Sequence, residues 1–419
     1  MQSLKHTESP LSIWRPDASP AAQHDKPWKS DATESAAADM KETSDQAREY
    51  SRLQVRLTIL GLGLSAVFLV VVLLSGASLR LKELVSTWTG NFYLQVGLYL
   101  VVFAAVGYLL SLGLDFYGGY LLEHRFSLSN QTVLGWARRS IKKALLSLGL
   151  LLIAAEALYF FLKHFPRHWW LLATAAWVVF TIVLGRIAPT LIIPLFYKCT
   201  PLDKPELKEK LFALGGRCGV GIRAVFEIKL SAETKKANAA VAGLGKGRRI
   251  LLSDTMLSNY TDDEIEAVFA HELGHVRLRH IWKILAFGAA ASLVSFYLTF
   301  LLFRAGTRVF AFDGVHDIAA FPLLALILMV VGLTLMPAQL AHLRRLEKSA
   351  DLFALEHTKK PEIFASAINK LARQNLIDPS PSRLEEVLLR DHPPISKRLR
   401  YIYSDKHATP DQQTDRTVV

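Results

Sequence analysis

The segment His271-Glu272-Leu273-Gly274-His275 carries two histidines four residues apart, and on a helix this spacing puts both imidazoles on one face. Two imidazoles in that arrangement can bind one zinc ion, which lowers the pKa of a water molecule on the metal. Glu272 stands between them and can take the proton from that water as a general base. The segment therefore predicts one Zn²⁺ per chain, with His271 and His275 as ligands and Glu272 as the catalytic base.

A third ligand is expected downstream, because catalytic zinc usually takes three protein ligands and leaves the fourth position for water. Glu347 is the best candidate, since it follows a long apolar stretch, and Asp351 lies one helical turn beyond it on the same face. Asp351 can accept the second ring N–H of a ligating histidine and so fix its tautomer. An ordinary charged helix face is the alternative for these two residues, but together with the histidines they favour a metal site.

Long apolar stretches dominate the rest of the chain, which is 51% hydrophobic with a mean hydropathy of +0.25. Several of them are long enough to cross a bilayer, which takes about 20 helical residues. They lie at residues 57–79, 92–114, 144–162, from 169 onward, 284–303 and 318–341. The fold class is therefore predicted as mainly α, a multi-pass transmembrane helical bundle with six spans.

The distribution of basic residues predicts the orientation of this bundle. Arg48, Arg52 and Arg56 precede the first span, and the segments 115–143 and 198–283 and the tail are rich in Lys and Arg, whereas the opposite loops are poorer. By the positive-inside rule, the termini, the paired histidines and the third ligand face the cytoplasm. The net charge of +12 therefore indicates topology and contact with anionic lipid, and no nucleic-acid partner is expected.

Between the fourth and fifth spans, the sequence predicts a soluble insertion with a small β-sheet. The predicted elements are a helix at 205–215, a strand at 224–230, and two strands at 237–244 and 248–253 joined by a Gly-Lys-Gly turn. Thr261 can cap the next helix, and Glu264 completes a capping box with it. That helix runs on into His271, so the capping box predicts where the metal-binding helix begins.

An open edge strand beside this helix would suit an extended peptide, which can pair with the sheet as one more strand and hold its scissile bond over the metal. The candidate strand consists of Asn238, Ala239, Ala240 and Val241. A purely structural hairpin is the alternative. We predict these four residues as the substrate-binding strand.

The domain organisation follows from these assignments. The predicted segments are a disordered polar leader (1–50), spans one to four with a cytoplasmic loop (51–196), the soluble insertion (197–282), spans five and six (283–341), the third-ligand helix with a C-terminal motif (342–405), and a flexible tail (406–419).

Several motifs in this order resemble those of the type I CAAX prenyl endopeptidases, membrane zinc metalloproteases related to the heat-shock membrane proteases. The matching motifs are Pro194-Leu195-Phe196, Asn238-Ala239, Ile250-Leu251-Leu252-Ser253-Asp254-Thr255-Met256-Leu257, the His271 to His275 segment, Arg344 with Glu347 and Ala350-Asp351, and His392-Pro393-Pro394 followed by Arg398. The resemblance covers residues 110–405. It implies a cytoplasmic, gluzincin-like zinc-metalloprotease subdomain in which His271, His275 and Glu347 bind zinc, Glu272 is the base, and His392 and Arg398 lie by the active site.

His392 also has a physical argument of its own. Peptide hydrolysis develops an oxyanion, and a nearby imidazole can donate a hydrogen bond to it. The alternative is a turn histidine before two prolines. Arg398 could anchor the C-terminal segment or bind a substrate carboxylate, and the sequence leaves both open.

The leading hypothesis is a zinc-dependent endopeptidase that hydrolyses peptide bonds at the cytoplasmic membrane face. Its expected partners are the lipid bilayer and a peptide or membrane-protein substrate, with or without a lipid group. One alternative is a zinc-containing membrane-protein binding or quality-control factor with little or no proteolysis, and another is a transporter-like bundle with an incidental histidine pair. The C-terminal residues Thr417-Val418-Val419 form no clear ER retrieval signal, which favours a bacterial cell membrane over the ER membrane of a eukaryote.

Overall fold

The computed structural model describes residues 31–243 and 248–405. The chain separates into two compact units, Met1–Glu42 and Thr43–Val419, and all contacts discussed below lie within the second. Residues 1–30 of the predicted leader, the predicted Gly-Lys-Gly turn and the predicted tail 406–419 lie outside the described residues.

Helices make up most of the described chain. In chain order, the α-helices are α1 (Asp31–Leu74), α2 (Ala77–Trp88), α3 (Phe92–Phe116), α4 (Glu123–Arg125), α5 (Val133–His164), α6 (Trp169–Ile187), α7 (Ile193–Phe196), α8 (Pro205–Arg217), α9 (Asp254–Asn259), α10 (Asp262–Arg277), α11 (His280–Val309), α12 (Phe321–Thr358), α13 (Pro361–Gln374), α14 (Arg383–Leu389) and α15 (Ile395–Asp405). Two π-helical turns, Tyr117–Leu122 and Ala188–Ile192, extend α3 and α6, and a 3-10 turn, Ile318–Ala320, precedes α12.

The six predicted spans are confirmed as six helical segments that are long and apolar enough to cross a membrane. They are Ser44–Leu74, Phe92–Arg125, Val133–His164, Trp169–Phe196, His280–Val309 and Ile318–Thr358. The predicted end of the first span at residue 79 is wrong, because α1 stops at Leu74 and α2 starts at Ala77. Gly76 adopts a positive φ of 70° between them, a conformation that glycine tolerates without a steric penalty.

The first helix also corrects the predicted leader, since residues 31–50 belong to α1. Ala47 and Tyr50 are buried and pack in one cluster with Leu122 and Leu128. This apolar face is short and lies in an otherwise polar stretch, so composition alone pointed to disorder. The helix is therefore anchored by its own apolar contacts before it reaches the first span.

The soluble insertion contains a mixed four-stranded sheet. Its strands are β1 (Cys199–Pro201), β2 (Ala224–Ile228), β3 (Ala239–Ala242) and β4 (Arg249–Ser253), in the spatial order β1-β2-β4-β3. β2 and β4 are parallel, and the other two pairings are antiparallel. β3 and β4 form the predicted hairpin, with β3 at the edge of the sheet within the described residues. The short strand β1 was not predicted.

One hydrophobic core joins this sheet to α10. It contains Leu211 of α8, Leu252 of β4, Phe269 of α10 and Ile368 of α13, all of them almost fully buried. α10 is covered by α8, α13 and the sheet, and also by the end of α12, so these elements together fix its position. The core thus holds rigid the helix that carries both predicted histidine ligands.

The sixth span and the predicted third ligand share one helix. α12 continues from Phe321 through Pro337 to Thr358, so Glu347 lies in the same unbroken element as the apolar span. α12 crosses α10 where Gly274 faces Ala350, and a Cβ added at Gly274 would lie 3.1 Å from the Ala350 Cα. Glycine leaves room for this close approach, which brings the two helices that carry the predicted ligands together.

Candidate metal centre

The metal-binding helix begins where the capping box predicts. The Thr261 hydroxyl accepts the Glu264 N–H at 3.2 Å, and the Glu264 carboxylate accepts the Thr261 N–H at 2.9 Å. Glu264 also accepts hydrogen bonds from Ser366 and Lys370, at 2.9 and 3.0 Å, which ties this end to α13. Fixing the first turn fixes the rotation of the helix, and therefore the direction in which His271 points.

The three predicted ligands come together at the crossing of α10 and α12. Nε2 of His271 lies 3.1 Å from Nε2 of His275, and these nitrogens lie 3.3 and 3.4 Å from the Glu347 carboxylate oxygens. Their candidate ligand atoms all lie within 4.8 Å of one another. Oε2 of Glu347 is buried, and its nearest polar neighbours are imidazole nitrogens. A buried carboxylate oxygen beside two ring nitrogens is the donor set of a cation site.

A buried ion pair stands behind His271. Its Nδ1 lies 2.8 Å from Oδ1 of Asp351, which is fully buried, as the one-turn spacing from Glu347 suggested. Arg398 donates two hydrogen bonds to the same carboxylate, at 2.8 and 2.5 Å, and the Tyr401 hydroxyl donates a third. Of the two roles left open for Arg398, the contact observed is the anchoring one, because its guanidinium joins α15 to α12.

Glu272 lies in the same site and faces the edge strand. Burial raises the pKa of its carboxyl group, while the neighbouring His271 lowers it and Glu347 raises it. Its carboxylate also accepts a hydrogen bond from the backbone N–H of Val241 in β3. The carboxyl group that was predicted as the base is thus held between the ligand cluster and the strand that was predicted to bind substrate.

His392 approaches the cluster from the C-terminal segment. Its Nε2 lies 3.2 Å from Oε2 of Glu347, and its Nδ1 lies 2.8 Å from Oδ1 of Asp391. Burial lowers the pKa of His392, but Asp391 and Glu347 outweigh it and raise the pKa overall. The side chain is 54% exposed, so it can reach a molecule bound beside the cluster.

The two histidines of α10 differ in the proton that they hold. Burial lowers the pKa of His271, but hydrogen bonds with Asp351 and Glu347 raise it to about 9. Burial and the charge of His271 lower the pKa of His275 to about 4. Histidine must be unprotonated at the nitrogen that binds a metal, so a metal ion held by this cluster would displace the proton of His271.

Two cavities open beside the cluster, of about 310 and 830 Å³. Both are bordered by Asn238, Ala239, His271, Glu272 and His392. The smaller cavity is otherwise largely apolar, whereas the larger one extends to Trp282 at the start of the fifth span. A molecule lying along β3 would therefore contact both cavities and pass the ligand cluster between them.

The four predicted strand residues do not all face these cavities. Asn238 precedes β3, and its backbone N–H donates to the Ser253 hydroxyl at 2.9 Å. Ala239 borders both cavities and Val241 borders the larger one, while Ala240 borders neither. This alternation is what the period of two in a β-strand requires.

Sequence reasoning missed the groups behind His275. Nδ1 of His280 lies 3.1 Å from Nδ1 of His275, and Nε2 of His280 lies 3.1 Å from the Ser349 hydroxyl. The available signal was a third histidine five residues after the second, followed by a serine two residues after Glu347. The spacing of this histidine and this serine does not predict their contacts, because those contacts depend on the turn between α10 and α11.

Comparisons with known proteins agree with this geometry. Residues 30–198 match the family profile described as CAAX prenyl protease N-terminal, five membrane helices, and residues 201–405 match that of peptidase family M48. The chain is 29% identical over 374 residues to the uncharacterized metalloprotease YhfN of Bacillus subtilis (strain 168), with 88% of each chain covered. It is 31% identical over 283 residues to CAAX prenyl protease 1 of Saccharomyces cerevisiae, covering 63% of this chain and 60% of the yeast protein, less than two thirds of its length.

The fold is shared with a solved structure. The crystal structure of S. mikatae Ste24p aligns with a TM-score of 0.77 at 24% sequence identity, covering 86% of this chain and 89% of that one. The bundle of long apolar helices with a small sheet is therefore an arrangement already seen in an experimental structure.

Proposed function

We propose, given that the chain belongs to peptidase family M48 and is a membrane metallopeptidase, that it is a zinc-dependent endopeptidase. The observation that carries this proposal is the juxtaposition of three candidate ligand atoms, a partly buried glutamate and an open strand edge at one place. The ligand set of two histidines and one glutamate is that of zinc peptidases in which a fourth position is left for water. We assign His271, His275 and Glu347 as the ligands of one Zn²⁺.

The distances within the cluster support zinc. Zn–N bonds of about 2.0–2.1 Å in a tetrahedron correspond to ligand atoms about 3.3 Å apart. The two imidazole nitrogens lie 3.1 Å apart, His271 Nε2 lies 3.3 Å from Oε2 of Glu347, and His275 Nε2 lies 3.4 Å from Oε1 of Glu347. These separations involve both carboxylate oxygens and are close to the tetrahedral value, which supports the assignment of zinc.

Glu272 would act as the general base of the hydrolysis. Zinc, when bound, supplies Lewis acidity that lowers the pKa of water and polarises a carbonyl group. Glu272 takes the proton from the attacking water and passes it to the amine that leaves. Its burial, which raises its pKa, makes it a better proton acceptor than an exposed carboxylate. His392, beside Glu347, donates a hydrogen bond to the oxyanion that develops on the substrate.

The edge strand would hold the substrate in extended form. The Ser253 N–H donates to the Asn238 carbonyl at 2.9 Å, and inward-facing and outward-facing residues alternate along an antiparallel pair. Ala239 therefore turns its N–H and carbonyl to the free edge, where a peptide can pair with them, and Val241 offers its carbonyl there because its N–H donates to Glu272. This proposal keeps Asn238, Ala239 and Val241 in the substrate site, with Ala240 holding β3 to β4 opposite Leu251.

The substrate class we propose is a peptide or membrane-protein segment that is presented at the cytoplasmic face of the membrane. The positive-inside distribution of Lys and Arg supports this orientation, and it accounts for the charge of +12 without a nucleic-acid partner. The similarity to a CAAX prenyl protease adds lipid-modified peptides to the class. The similarity to a Bacillus protein over most of both chains supports a bacterial cell membrane.

The test is turnover of fluorogenic peptides, with and without a farnesyl group, by the purified full chain. Wild type is compared with Glu272→Gln at equal zinc content, and Glu356→Gln, an exposed glutamate on α12, serves as the matched control. We expect Glu272→Gln to lose about 10²–10⁴-fold in turnover while it retains zinc, because the general base alone is removed. Cleavage that is unchanged in Glu272→Gln contradicts the assignment. Zinc binding by a wild type that cleaves no peptide favours a binding or quality-control factor instead.

A further inference from the structure

The second ring nitrogen of His275 contacts another imidazole. His280 is 1% exposed and lies with its Nδ1 3.1 Å from the His275 Nδ1. On its other side, His280 Nε2 lies 3.1 Å from the Ser349 hydroxyl, which donates to the Leu346 carbonyl at 2.8 Å. These contacts form a continuous polar chain through the packed interface of α10, α11 and α12. The chain ends at the carbonyl of Leu346, the residue before Glu347.

The hydrogens of this chain can be assigned by counting donors and acceptors. If Nε2 of His275 offers its lone pair to the ligand cluster, a neutral imidazole must carry its hydrogen on Nδ1. That hydrogen points at Nδ1 of His280, which must then accept and carry its own hydrogen on Nε2. The Nε2–H donates to Ser349, whose hydroxyl hydrogen is directed at Leu346. Each polar hydrogen has an acceptor in this arrangement, and no charge is needed.

The backbone before His280 is arranged to make this contact. Arg279 has a φ of 56°, in the left-handed region that is unfavourable for a residue with a side chain. The resulting sharp turn between α10 and α11 directs the His280 side chain back onto His275. The strain at Arg279 is therefore offset by packing and polar contacts on the two sides of the turn.

We propose that His280 is a positioning residue for the metal ligand His275, with Ser349 holding His280 in the required tautomer. This role rests on the proposed function of the His271, His275 and Glu347 cluster. Outer groups that hold a ligating histidine in this way typically contribute about 10–100-fold to metal affinity or activity. His280 itself touches neither substrate nor metal in this role.

The test measures metal affinity rather than turnover, on the purified full chain in detergent. His280→Phe keeps a ring of similar size but removes the acceptor, and His280→Asn retains an acceptor at the level of Nδ1. His357→Phe is the matched control, because His357 lies on α12 and stacks on Phe353. Zinc affinity is obtained by competition with a chelator, and the visible spectrum of the Co²⁺ form reports the ligand geometry.

We expect His280→Phe to weaken zinc binding about 10–100-fold and to alter the Co²⁺ spectrum, with His280→Asn recovering most of both. His357→Phe should change neither. Wild-type affinity in His280→Phe overturns the proposal, and so does an equal loss in Phe and Asn variants. If thermal unfolding shows that His280→Phe does not fold, His280→Ala replaces it as the variant without an acceptor. Its zinc affinity is then compared with that of His280→Asn in the same way.

These outcomes are separable from those of the proposed protease. A wild type that binds zinc but cleaves no peptide sinks the endopeptidase and leaves the role of His280 intact. If the wild type cleaves peptides and Glu272→Gln does not, the endopeptidase is supported. If His280→Phe then binds zinc as tightly as the wild type, the role proposed for His280 is contradicted.

Discussion

His271 and His275 lie on one helix and point at one cluster, but the groups behind them differ in charge. Asp351, Arg398 and Tyr401, the carboxylate arm, hold His271 with a fully buried ion pair. His280 and Ser349, the imidazole arm, hold His275 through neutral hydrogen bonds alone. The same task, fixing the ring of a ligand, is thus performed in two chemically different ways within one site.

Because one arm is charged and the other is neutral, losing a contact in each arm should have a different effect. A buried charge that loses its partner costs several kcal/mol, because the remaining ion stays out of water. A neutral hydrogen bond that is lost costs about 0.5–1.5 kcal/mol. Damage to the carboxylate arm should therefore appear as lost stability of the whole fold, whereas damage to the imidazole arm should appear mainly at the metal.

The largest effect should follow from breaking the carboxylate arm on its cationic side. Arg398→Met removes the guanidinium from the buried Asp351 carboxylate, leaving His271 and Tyr401 as its partners, and we expect a loss of about 3–5 kcal/mol in the free energy of unfolding. Denaturant-induced unfolding of the purified protein measures this loss. The double variant Asp351→Asn/Arg398→Met removes both charges and should regain much of it.

Lys397→Met provides the control on the same helix. Lys397 pairs with Glu386 at 2.7 Å, but its side chain is 53% exposed, and such pairs contribute about 0–1 kcal/mol. Equal losses of unfolding free energy in Arg398→Met and Lys397→Met would mean that burial does not make the Asp351–Arg398 pair more important than an exposed pair.

An intermediate effect is expected when both arms are displaced together. In Gly274→Ala the new methyl group would lie 3.1 Å from the Ala350 Cα and 3.2 Å from its carbonyl oxygen. Backbone yields less readily than a flexible side chain, so we expect α10 and α12 to shift apart by a few tenths of an ångström, at a cost of about 1–3 kcal/mol. Unfolding and zinc affinity should both decline, although each arm keeps its hydrogen-bonding groups.

Gly216→Ala is the matched substitution, because an added Cβ at this helical glycine meets nothing within 4 Å. It should be neutral or stabilising by up to about 1 kcal/mol, as alanine favours helix over glycine. If Gly274→Ala binds zinc as tightly as wild type, the close crossing is not what sets the ligand spacing.

The smallest effect should come from the outer end of the imidazole arm. Ser349→Ala removes the acceptor of His280 and should cost about 1 kcal/mol in unfolding, with a modest loss of zinc affinity. Ser258→Ala, which likewise deletes a helical serine bonded to a preceding carbonyl, controls for the loss of the hydroxyl itself. A loss in Ser349→Ala as large as that in Arg398→Met would erase the distinction between the two arms.

Local chemistry explains what the sequence predicted well. The capping box at Thr261, the spacing of His271 and His275, and the one-turn interval from Glu347 to Asp351 are each set within a few residues of helix. Apolar length predicted the six spans for the same reason. In each of these cases, the residues that interact are close to one another in the sequence.

Contacts between distant segments were beyond these rules. Arg398 and Asp351 are 47 residues apart, and the sequence around either residue does not predict contact with the other. His280 is close in sequence to His275, but their contact depends on the left-handed turn at Arg279, which an arginine does not predict. The strand β1 was missed because three residues ending in proline carry too little pattern.

The order of the ligands along the chain has a consequence for biosynthesis. His271 and His275 precede α11, and Glu347 follows the apolar part of α12, so two membrane crossings separate the histidines from the glutamate. An even number of crossings returns the chain to its starting side. If either helix failed to insert, Glu347 would lie on the opposite side of the membrane from the two histidines. The three predicted ligands can therefore come together only after both of these spans have been synthesised and inserted across the membrane.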